Sequence, residues 1–291
     1  MQQQKKPRWP NLFIVGAARA GTSSLHRYLS TVEEVYMSPR KEPHFFSHDF
    51  VSHLGCKVMS YEEDYLALFA NATTQRYLGE SSTSYLPCAA ASLVIFERMP
   101  SARIIVSLRD PVERAFSHYL MELRSGSFNG SFEQEINREL SNYSDRKLGR
   151  LHLCHYVEKI EQYISAFGSQ QVKILVFEDW VKQPDLALSE ILKFLELHNT
   201  GVKSEHEVHN RYHKKTWFAM QLRRSKTFVK VARKAIPESW RITVQEKILT
   251  RHAEKPAIDR AGSELLIEYY KNDVIKLEAL LNRRLPWKWF Q

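Results

Sequence analysis

The chain has 291 residues, 43% of them hydrophobic, which suffices for one large α/β domain with a buried core. Its 42 lysines and arginines exceed its 33 acidic residues, and the net charge of +9 suits a ligand with several negative charges. The basic residues are dispersed, without zinc-finger spacing or an aromatic-interleaved basic stripe, so we expect no nucleic-acid partner. No apolar run approaches the roughly 18 to 20 residues of a membrane span.

The cysteines and the glycosylation sequons bear on the compartment. The three cysteines are widely spaced and odd in number, which predicts free thiols and neither a disulfide framework nor a metal site. They are Cys56, Cys88 and Cys154. This pattern favours a cytoplasmic protein. Three sequons favour the alternative, the lumenal domain of a Golgi enzyme without its anchor. They begin at Asn71, Asn129 and Asn142.

The first informative motif is LFIVGAARAGTSSL at positions 12–25. It predicts a strand, a small-residue loop and a helix start, an arrangement that directs backbone N–H groups and a helix N-terminus at a phosphate. The Walker spacing fits at Gly16 and Gly21, but Thr22 stands where the Walker lysine would be. The cation of the loop is Arg19. The motif therefore argues against ATP hydrolysis and for another phosphate-bearing donor, with a P-loop kinase as an alternative.

Short apolar runs alternate with helical patterns along the chain, which predicts a central parallel sheet flanked by helices. The predicted strands span 12–15, 76–78, 104–108 and 172–177. The predicted helices span 61–70, 89–99, 112–123, 153–167, 186–197 and 259–281. We expect one α/β domain over 1–291 with a P-loop-like loop, preceded by a flexible segment over 1–10. Phosphate sites in such folds lie at the carboxyl ends of the strands.

The second motif is ARIIVSLRDPVERAFSHY at positions 102–119. A buried strand is predicted to end at Arg109, and Pro111 opens a helix at a favoured early position. Ser117 follows about two helical turns later. An arginine fork and a hydroxyl that converge in this way would hold a second phosphate.

The last third of the chain contains a basic segment and an aromatic tail. Between 210 and 234 the chain reads RYHKK, LRRSK and VARK, for which a solvated helix face is the plain interpretation. The tail from Trp287 to Phe290 carries aromatic side chains. If these are exposed, they would support a homodimer contact.

The two loops together resemble the paired signature of sulfotransferases that use 3′-phosphoadenosine 5′-phosphosulfate (PAPS). KEPHFFS at 41–47 looks like the segment that carries the catalytic carboxylate in heparan-sulfate-type and related bacterial members. Three further segments are similar to the family, so the resemblance covers nearly the whole chain. They are GESSTSYL at 79–86, VKILVFEDW at 172–180 and LEALLNRRLPWKWF at 277–290.

The resemblance implies that the first loop holds the 5′-phosphosulfate of PAPS and the second loop holds its 3′-phosphate. The product is adenosine 3′,5′-bisphosphate (PAP), and no metal is required. The implied donor-binding residues are Arg19, Ala20, Gly21, Thr22, Ser23, Ser24, Arg109, Ser117, Arg211 and Lys214. Arg19 replaces the usual lysine of the family. The hydroxyls of 22–24 have a second interpretation as helix caps.

Three residues are the catalytic candidates. The resemblance places the general base at Glu42, and a nearby rival is His44, whose reference pKa of about 6.5 suits proton transfer. If this segment is extended, both side chains point to the same side. Arg19 would stabilise charge on the leaving group.

The predicted reaction is in-line transfer of a sulfuryl group from PAPS to a hydroxyl or amine of a carbohydrate or small metabolite. Positioning and electrostatics would supply most of the catalysis, by analogy with phosphoryl transfer. Heparan-sulfate-type members carry a lysine at the position of Ser81, and this chain does not. An alternative from another class is a catalytically silent protein that binds sulfated or phosphorylated ligands.

Overall fold

Five parallel strands form the central sheet, in the order β2-β3-β1-β4-β5. The computed structural model describes residues 8–52, 57–125, 127–141, 151–198 and 256–291, and the backbone of 214–215 and 250–251. The strands are β1 (Leu12–Gly16), β2 (Val35–Met37), β3 (Tyr77–Ser81), β4 (Arg103–Leu108) and β5 (Val172–Val176). A separate antiparallel pair is β6 (Lys214–Lys215) with β7 (Thr250–Arg251).

Helices cover both faces of the sheet. They are α1 (Thr22–Ser30), α2 (His48–Ser52), α3 (Glu62–Ala67), α4 (Ala89–Arg98), α5 (Pro111–Ser125), α6 (Phe132–Ser141), α7 (Val157–Phe167), α8 (Phe177–Trp180), α9 (Pro184–Phe194) and α10 (Arg260–Leu281). Alternate residues of β1 point to opposite faces. Phe13 and Val15 join the larger core, with α4, α5, α7 and α10, whereas Leu12 and Ile14 join the smaller core, with α1 and α9. The predicted fold class is confirmed.

The differences between predicted and observed strands have a simple cause. The three-residue β2 is too short to give a pattern in the sequence. The predicted strand at 76–78 in fact continues to Ser81, although Gly79, Glu80 and Ser81 have little intrinsic strand preference. All five residues of β3 are buried, so pairing with β1 and β2 overrides that preference.

Both ends of the described structure pack against the core. Of the predicted flexible segment over 1–10 the structure describes residues 8–10, where Pro10 is buried and the ring centroids of Trp9 and Tyr65 lie 6.0 Å apart. Within the aromatic tail, Trp287 is fully buried, and its Nε1 donates a hydrogen bond to Glu178 Oε2 over 2.9 Å. Trp289 and Phe290 are half-buried and pack against the core. Trp287 therefore does not meet the condition of exposure under which the tail would support a dimer contact.

The buried tail predicts a strong dependence of stability on Trp287. Trp287→Ala should lower the free energy of unfolding by about 3–5 kcal/mol, because it leaves a cavity and removes the donor to Glu178. Trp289→Ala is the matched control. Trp289 is only half-buried, so its loss should cost about 1 kcal/mol. Urea denaturation measures both, and equal losses would contradict the placement of Trp287 in the core.

Candidate active site

The loop between β1 and α1 is tied to β4 through Ser107. Ala17 N donates to Ser107 O over 2.6 Å, and Ser107 Oγ donates to Ala20 O over 2.7 Å. Trp180 Nε1 donates to Ser107 Oγ over 3.0 Å and orients this hydroxyl. The buried Ala20 therefore shapes the loop through its carbonyl and its methyl group.

Glycine is required at Gly21 for two reasons. Its φ of 78° lies in the left-handed region, and a Cβ there would lie 2.3 Å from the Trp180 ring. Gly21 is the N-cap of α1, so the prediction that the hydroxyls of 22–24 cap this helix is wrong. The first turn of α1 contains no acidic residue. The positive end of the helix is therefore left for an anion.

The second loop follows β4 directly. Arg109 is the first residue after the strand, and the Asp110 carboxylate accepts a hydrogen bond from Val112 N over 3.0 Å at the start of α5. Pro111 opens α5 as predicted. Burial raises the pKa of Asp110 to about 7, a shift that its backbone hydrogen bonds oppose.

The two loops contact each other through their predicted phosphate-binding residues. Arg19 Nε donates to Ser117 Oγ over 3.1 Å, and Arg109 Nη1 donates to Arg19 O over 3.1 Å. Arg109 also lies 4.8 Å from the centre of the Phe177 ring and 3.5 Å from Glu113 Oε2. Arg109 Nε is buried and has no hydrogen-bond partner among the described residues. A buried donor of this kind would be satisfied by an anionic ligand.

Positive charge is concentrated around Arg19. Burial lowers the pKa of its guanidinium most, and three neighbouring positive charges lower it further. These charges belong to Arg124, Arg109 and Arg114. The sequence analysis did not identify Arg114 and Arg124. These residues lie on α5, three positions before and seven positions after Ser117, on the same helical face. This spacing is the signal that would have found Arg114 and Arg124.

The KEPHFF segment follows β2 and runs along the end of β3. Glu42 N donates to Ser81 O over 2.9 Å. The Glu42 carboxylate accepts a hydrogen bond from Thr83 N over 2.8 Å, and Lys41 Nζ lies 2.5 Å from Glu42 Oε1. The side chain of Glu42 remains 28% exposed, so the carboxylate is held by the protein and is still accessible.

His44 lies beside Glu42, but for a different reason from the predicted one. Its Nδ1 is 3.7 Å from Glu42 Oε2 and 2.7 Å from Ser84 Oγ. The expected extended backbone is wrong, because Glu42 and His44 both have a φ of 59°. Two left-handed residues separated by Pro43 bring the side chains together. Burial lowers the pKa of His44, which favours the neutral imidazole at neutral pH.

The carboxylate segment and the first phosphate loop meet at β1. Ser82 N donates to Ile14 O over 3.2 Å, and Leu86 N donates to Val15 O over 2.9 Å. The turn at 82–86, which holds Glu42 through Thr83, is therefore attached to the strand that leads into the Arg19 loop.

Two further titratable residues of this region, Glu80 and His26, lie in the interior. Glu80 is fully buried among hydroxyl groups, and burial raises its pKa to about 7. His26 of α1 was missed. Its Nε2 donates to Ser38 O over 3.2 Å, so its Nδ1 accepts from Ser81 Oγ over 2.8 Å. A lone histidine in a helix gives no sequence signal for such partners.

Arg211 and the side chain of Lys214 lie outside the described residues. Where the structure describes the chain, no group of three or more His, Cys, Asp or Glu side chains is arranged to hold a metal ion. Over the same residues, no helix has the length and apolar character needed to cross a membrane.

Comparisons with known proteins agree on one family. The model of the sulfotransferase domain family matches residues 10–255. Carbohydrate sulfotransferase 15 of Homo sapiens is 25% identical over 253 residues, which cover 67% of this chain and 45% of that protein. The bifunctional heparan sulfate N-deacetylase/N-sulfotransferase of Drosophila melanogaster is 23% identical over 296 residues, which cover 94% of this chain and 26% of that protein.

A solved structure extends the likeness over the whole fold. The sulfotransferase from Alicyclobacillus acidocaldarius is 25% identical with a TM-score of 0.72, and the match covers 98% of this chain and 100% of that one. The curated relatives are longer, and the chain spans about half the length of carbohydrate sulfotransferase 15.

The buried position of His26 predicts a pH-dependent stability. Burial and the positive charge of Lys41 lower the pKa of His26 to about 4, and the hydrogen bond to Ser38 O opposes this shift. Between this pKa and the ordinary histidine pKa of 6.5, the unfolded chain binds more protons than the folded protein. The free energy of unfolding should therefore fall as pH drops through this window, by at most about 3 kcal/mol.

His26→Gln keeps one donor and one acceptor and should remove this part of the pH dependence. The comparison with the wild-type chain cancels the contributions of other titratable groups to the pH dependence. One of these groups is His152, because burial lowers its pKa to about 4 as well. Urea denaturation between pH 4 and 7.5 makes the measurement. Parallel pH profiles for the two proteins would contradict the assignment to His26.

Proposed function

The chain belongs to the sulfotransferase domain family, and from this premise we propose that it transfers the sulfuryl group of PAPS to a hydroxyl or amine of a carbohydrate. The observation that carries the proposal is the contact between the two loops, where Arg19, Arg109 and Ser117 meet at the carboxyl edge of the sheet. Two phosphate-binding elements in contact suit a donor with phosphate groups at two positions of one nucleotide.

The residues present fit such a donor. The buried Nε of Arg109 lacks a partner in the described part of the chain, and burial, followed by repulsion from neighbouring arginines, lowers the pKa of Arg19. A bound anion would accept a hydrogen bond from Arg109 Nε and would offset the positive charge around Arg19. Arg19, Gly21, Thr22, Ser23 and the other predicted loop residues would hold the 5′-phosphosulfate, with Arg109 and Ser117 at the 3′-phosphate. The donor supplies the sulfuryl group.

Arg19 differs from the lysine usual in the family, and this difference affects its role. A guanidinium stays charged at any physiological pH, so it stabilises developing negative charge without donating a proton. Its contact with Ser117 Oγ also couples the two phosphate-binding elements. We assign Arg19 to stabilisation of the leaving group and to alignment of the second element.

We assign the general base to Glu42. Its carboxylate accepts hydrogen bonds from Thr83 and lies beside Lys41, so it is held in one orientation while 28% of its side chain stays exposed to a bound acceptor. His44 is more buried, with 12% of its side chain exposed against 28% for Glu42. His44 would therefore orient Glu42 or serve as the second candidate base.

The carbohydrate acceptor is supported by the names of the relatives, which act on carbohydrate and heparan sulfate substrates by their descriptions. The net charge of +9 suits an acceptor that is itself anionic. The chain lacks the lysine at Ser81, so we propose a carbohydrate without specifying heparan sulfate.

For the compartment we propose the cytoplasm. Cys88 and Cys154 are buried free thiols, which suits a reducing environment. Cys56 lies outside the described residues. The lumenal alternative is supported by the exposure of Asn71 and Asn129. N-linked glycans on these two asparagines in protein from its natural source would decide for the lumen.

The donor class is tested by calorimetry with PAP and with ATP. We expect magnesium-independent binding of PAP and weak binding of ATP. Arg109→Ala should weaken PAP binding about 10- to 100-fold, because it removes charge-assisted hydrogen bonds to phosphate. A preference for ATP with magnesium would overturn the proposal in favour of a kinase.

Arg103→Ala is the matched control for this variant. Arg103 begins β4, whereas Arg109 follows its end, so the two substitutions remove the same charge from opposite edges of the sheet. Arg103 pairs with the Glu196 carboxylate, 2.6 Å away. Its loss should change the dissociation constant of PAP by about twofold or less, since distant charges are screened. Equal effects of the two variants would refute the phosphate contact of Arg109.

The role of Glu42 predicts a selective loss of turnover. Glu42→Gln should lower the rate of sulfuryl transfer from PAPS to a panel of glycosaminoglycan oligosaccharides by about 10² to 10⁴, with PAP affinity preserved. Glu97→Gln, on the exposed side of α4, makes the same charge change and should have no effect. Full activity of Glu42→Gln would shift the assignment to His44. PAP binding by the wild-type chain without turnover on any acceptor would indicate a silent binding protein.

A further inference from the structure

The buried carboxyl group of Glu80 has three hydroxyl partners. Tyr65 OH donates to Glu80 Oε1 over 2.9 Å, and Tyr85 OH donates to the same oxygen over 2.6 Å. Ser82 Oγ donates to Glu80 Oε2 over 2.8 Å. The Glu80 side chain is fully shielded from solvent, so it takes no part in acceptor binding.

Two of these three hydroxyls also hold the backbone of the KEPHFF segment. Ser82 Oγ accepts a hydrogen bond from His44 N over 3.1 Å, and Tyr85 OH accepts one from Phe46 N over 3.3 Å. A hydroxyl has a single proton. Because each proton points to Glu80, the oxygen lone pairs are directed at the two N–H groups. In a series of hydrogen bonds that runs from N–H through a hydroxyl to a carboxylate, each bond polarises the next one and strengthens it.

The segment held in this way needs external support. Glu42 and His44 both adopt the left-handed conformation, which non-glycine residues seldom adopt unless the surrounding structure holds them there. Thr83, which binds the Glu42 carboxylate, immediately follows Ser82. The hydroxyls of Ser82 and Tyr85 therefore fix both the backbone on which Glu42 stands and the turn that orients its carboxylate.

We propose that Glu80 is a positioning residue, which acts through the hydroxyls of Ser82 and Tyr85 to hold Glu42 in its reactive orientation. The inference rests on the proposed role of Glu42 as the base. Tyr65 provides an internal comparison. It makes the same bond to Glu80 Oε1, but among the described residues its hydroxyl accepts no backbone hydrogen bond from the segment, and its ring stacks on Phe45 at 4.3 Å.

The matched variants are Tyr85→Phe and Tyr65→Phe. Each keeps its aromatic ring and removes one hydroxyl from the same carboxylate oxygen, but only Tyr85→Phe deletes the acceptor of Phe46 N. Glu80→Gln tests the carboxylate itself. The side-chain N–H₂ group is a donor, so a hydroxyl that faces it can no longer donate to residue 80 and must direct its proton elsewhere. Ser82→Ala removes the acceptor of His44 N and serves if Glu80→Gln does not fold.

The first measurement is residue-resolved amide hydrogen exchange, which needs no acceptor. In Tyr85→Phe the amide of Phe46 should exchange about 5- to 10-fold faster than in Tyr65→Phe, as expected for loss of one hydrogen bond. In Glu80→Gln the amide of His44 or that of Phe46 should also exchange faster, according to which oxygen of Glu80 the N–H₂ group replaces. The amide of Glu42 is the reference, because its acceptor, Ser81 O, is unchanged. Equal exchange in the two tyrosine variants would overturn the proposal.

The second measurement is turnover with the best acceptor of the panel. Tyr85→Phe and Glu80→Gln should lower kcat about 10- to 100-fold with PAP affinity unchanged, whereas Tyr65→Phe should keep kcat near the wild-type value. Combined with Glu42→Gln, Glu80→Gln should add no further loss. Additive losses would refute action through Glu42. Wild-type activity of Glu42→Gln would instead refute the assignment of the base, and the exchange data would still decide whether Glu80 holds the segment.

Discussion

The position of β1 between β3 and β4 determines where every proposed functional side chain lies. Parallel pairing on both sides brings the carboxyl ends of the three strands to one edge of the sheet. The Arg19 loop leaves β1 there, Arg109 leaves β4, and the turn that holds Glu42 leaves β3. No single strand carries a complete site. A shift of register by one residue would turn alternate side chains to the opposite face and separate these groups.

The site places opposite charges in two separate regions. On the β4 side, arginines are partly buried and repel one another, which is unfavourable in the protein alone because buried charges lose hydration. An anionic ligand would offset that cost, so the same arrangement that weakens the free protein strengthens binding. On the β3 side, the carboxylates of Glu42 and Glu80 each have hydrogen-bond donors from the protein. The buried Nε of Arg109 therefore lacks a partner among the described residues, whereas the two carboxylates are held by donors from the protein.

Magnitudes explain why the KEPHFF segment needs several anchors. Each residue held in a sparsely populated conformation costs on the order of 1–3 kcal/mol, and two such residues, Glu42 and His44, occur here. A single net hydrogen bond contributes only about 1 kcal/mol. The N–H groups of residues 42, 44 and 46 all donate to the 81–85 segment, and the Glu42 carboxylate adds a further bond. Together these bonds are of the size needed to hold the strained backbone, whereas any one of them is too weak.

By itself, the sequence determined the parallel α/β fold and the local motifs of the site. Strand and helix patterns, the small-residue loop before α1 and the eight-residue spacing from Arg109 to Ser117 depend on neighbours in the chain, so they are readable from it. The tertiary structure decided which distant groups meet. The bond from Arg19 to Ser117 joins residues 98 positions apart, and the hydroxyls around Glu80 arrive from α3 and from the turn after β3. Burial of Trp287 depends likewise on a partner 109 residues away. Such contacts follow from sheet order and packing, which no local spacing in the chain encodes.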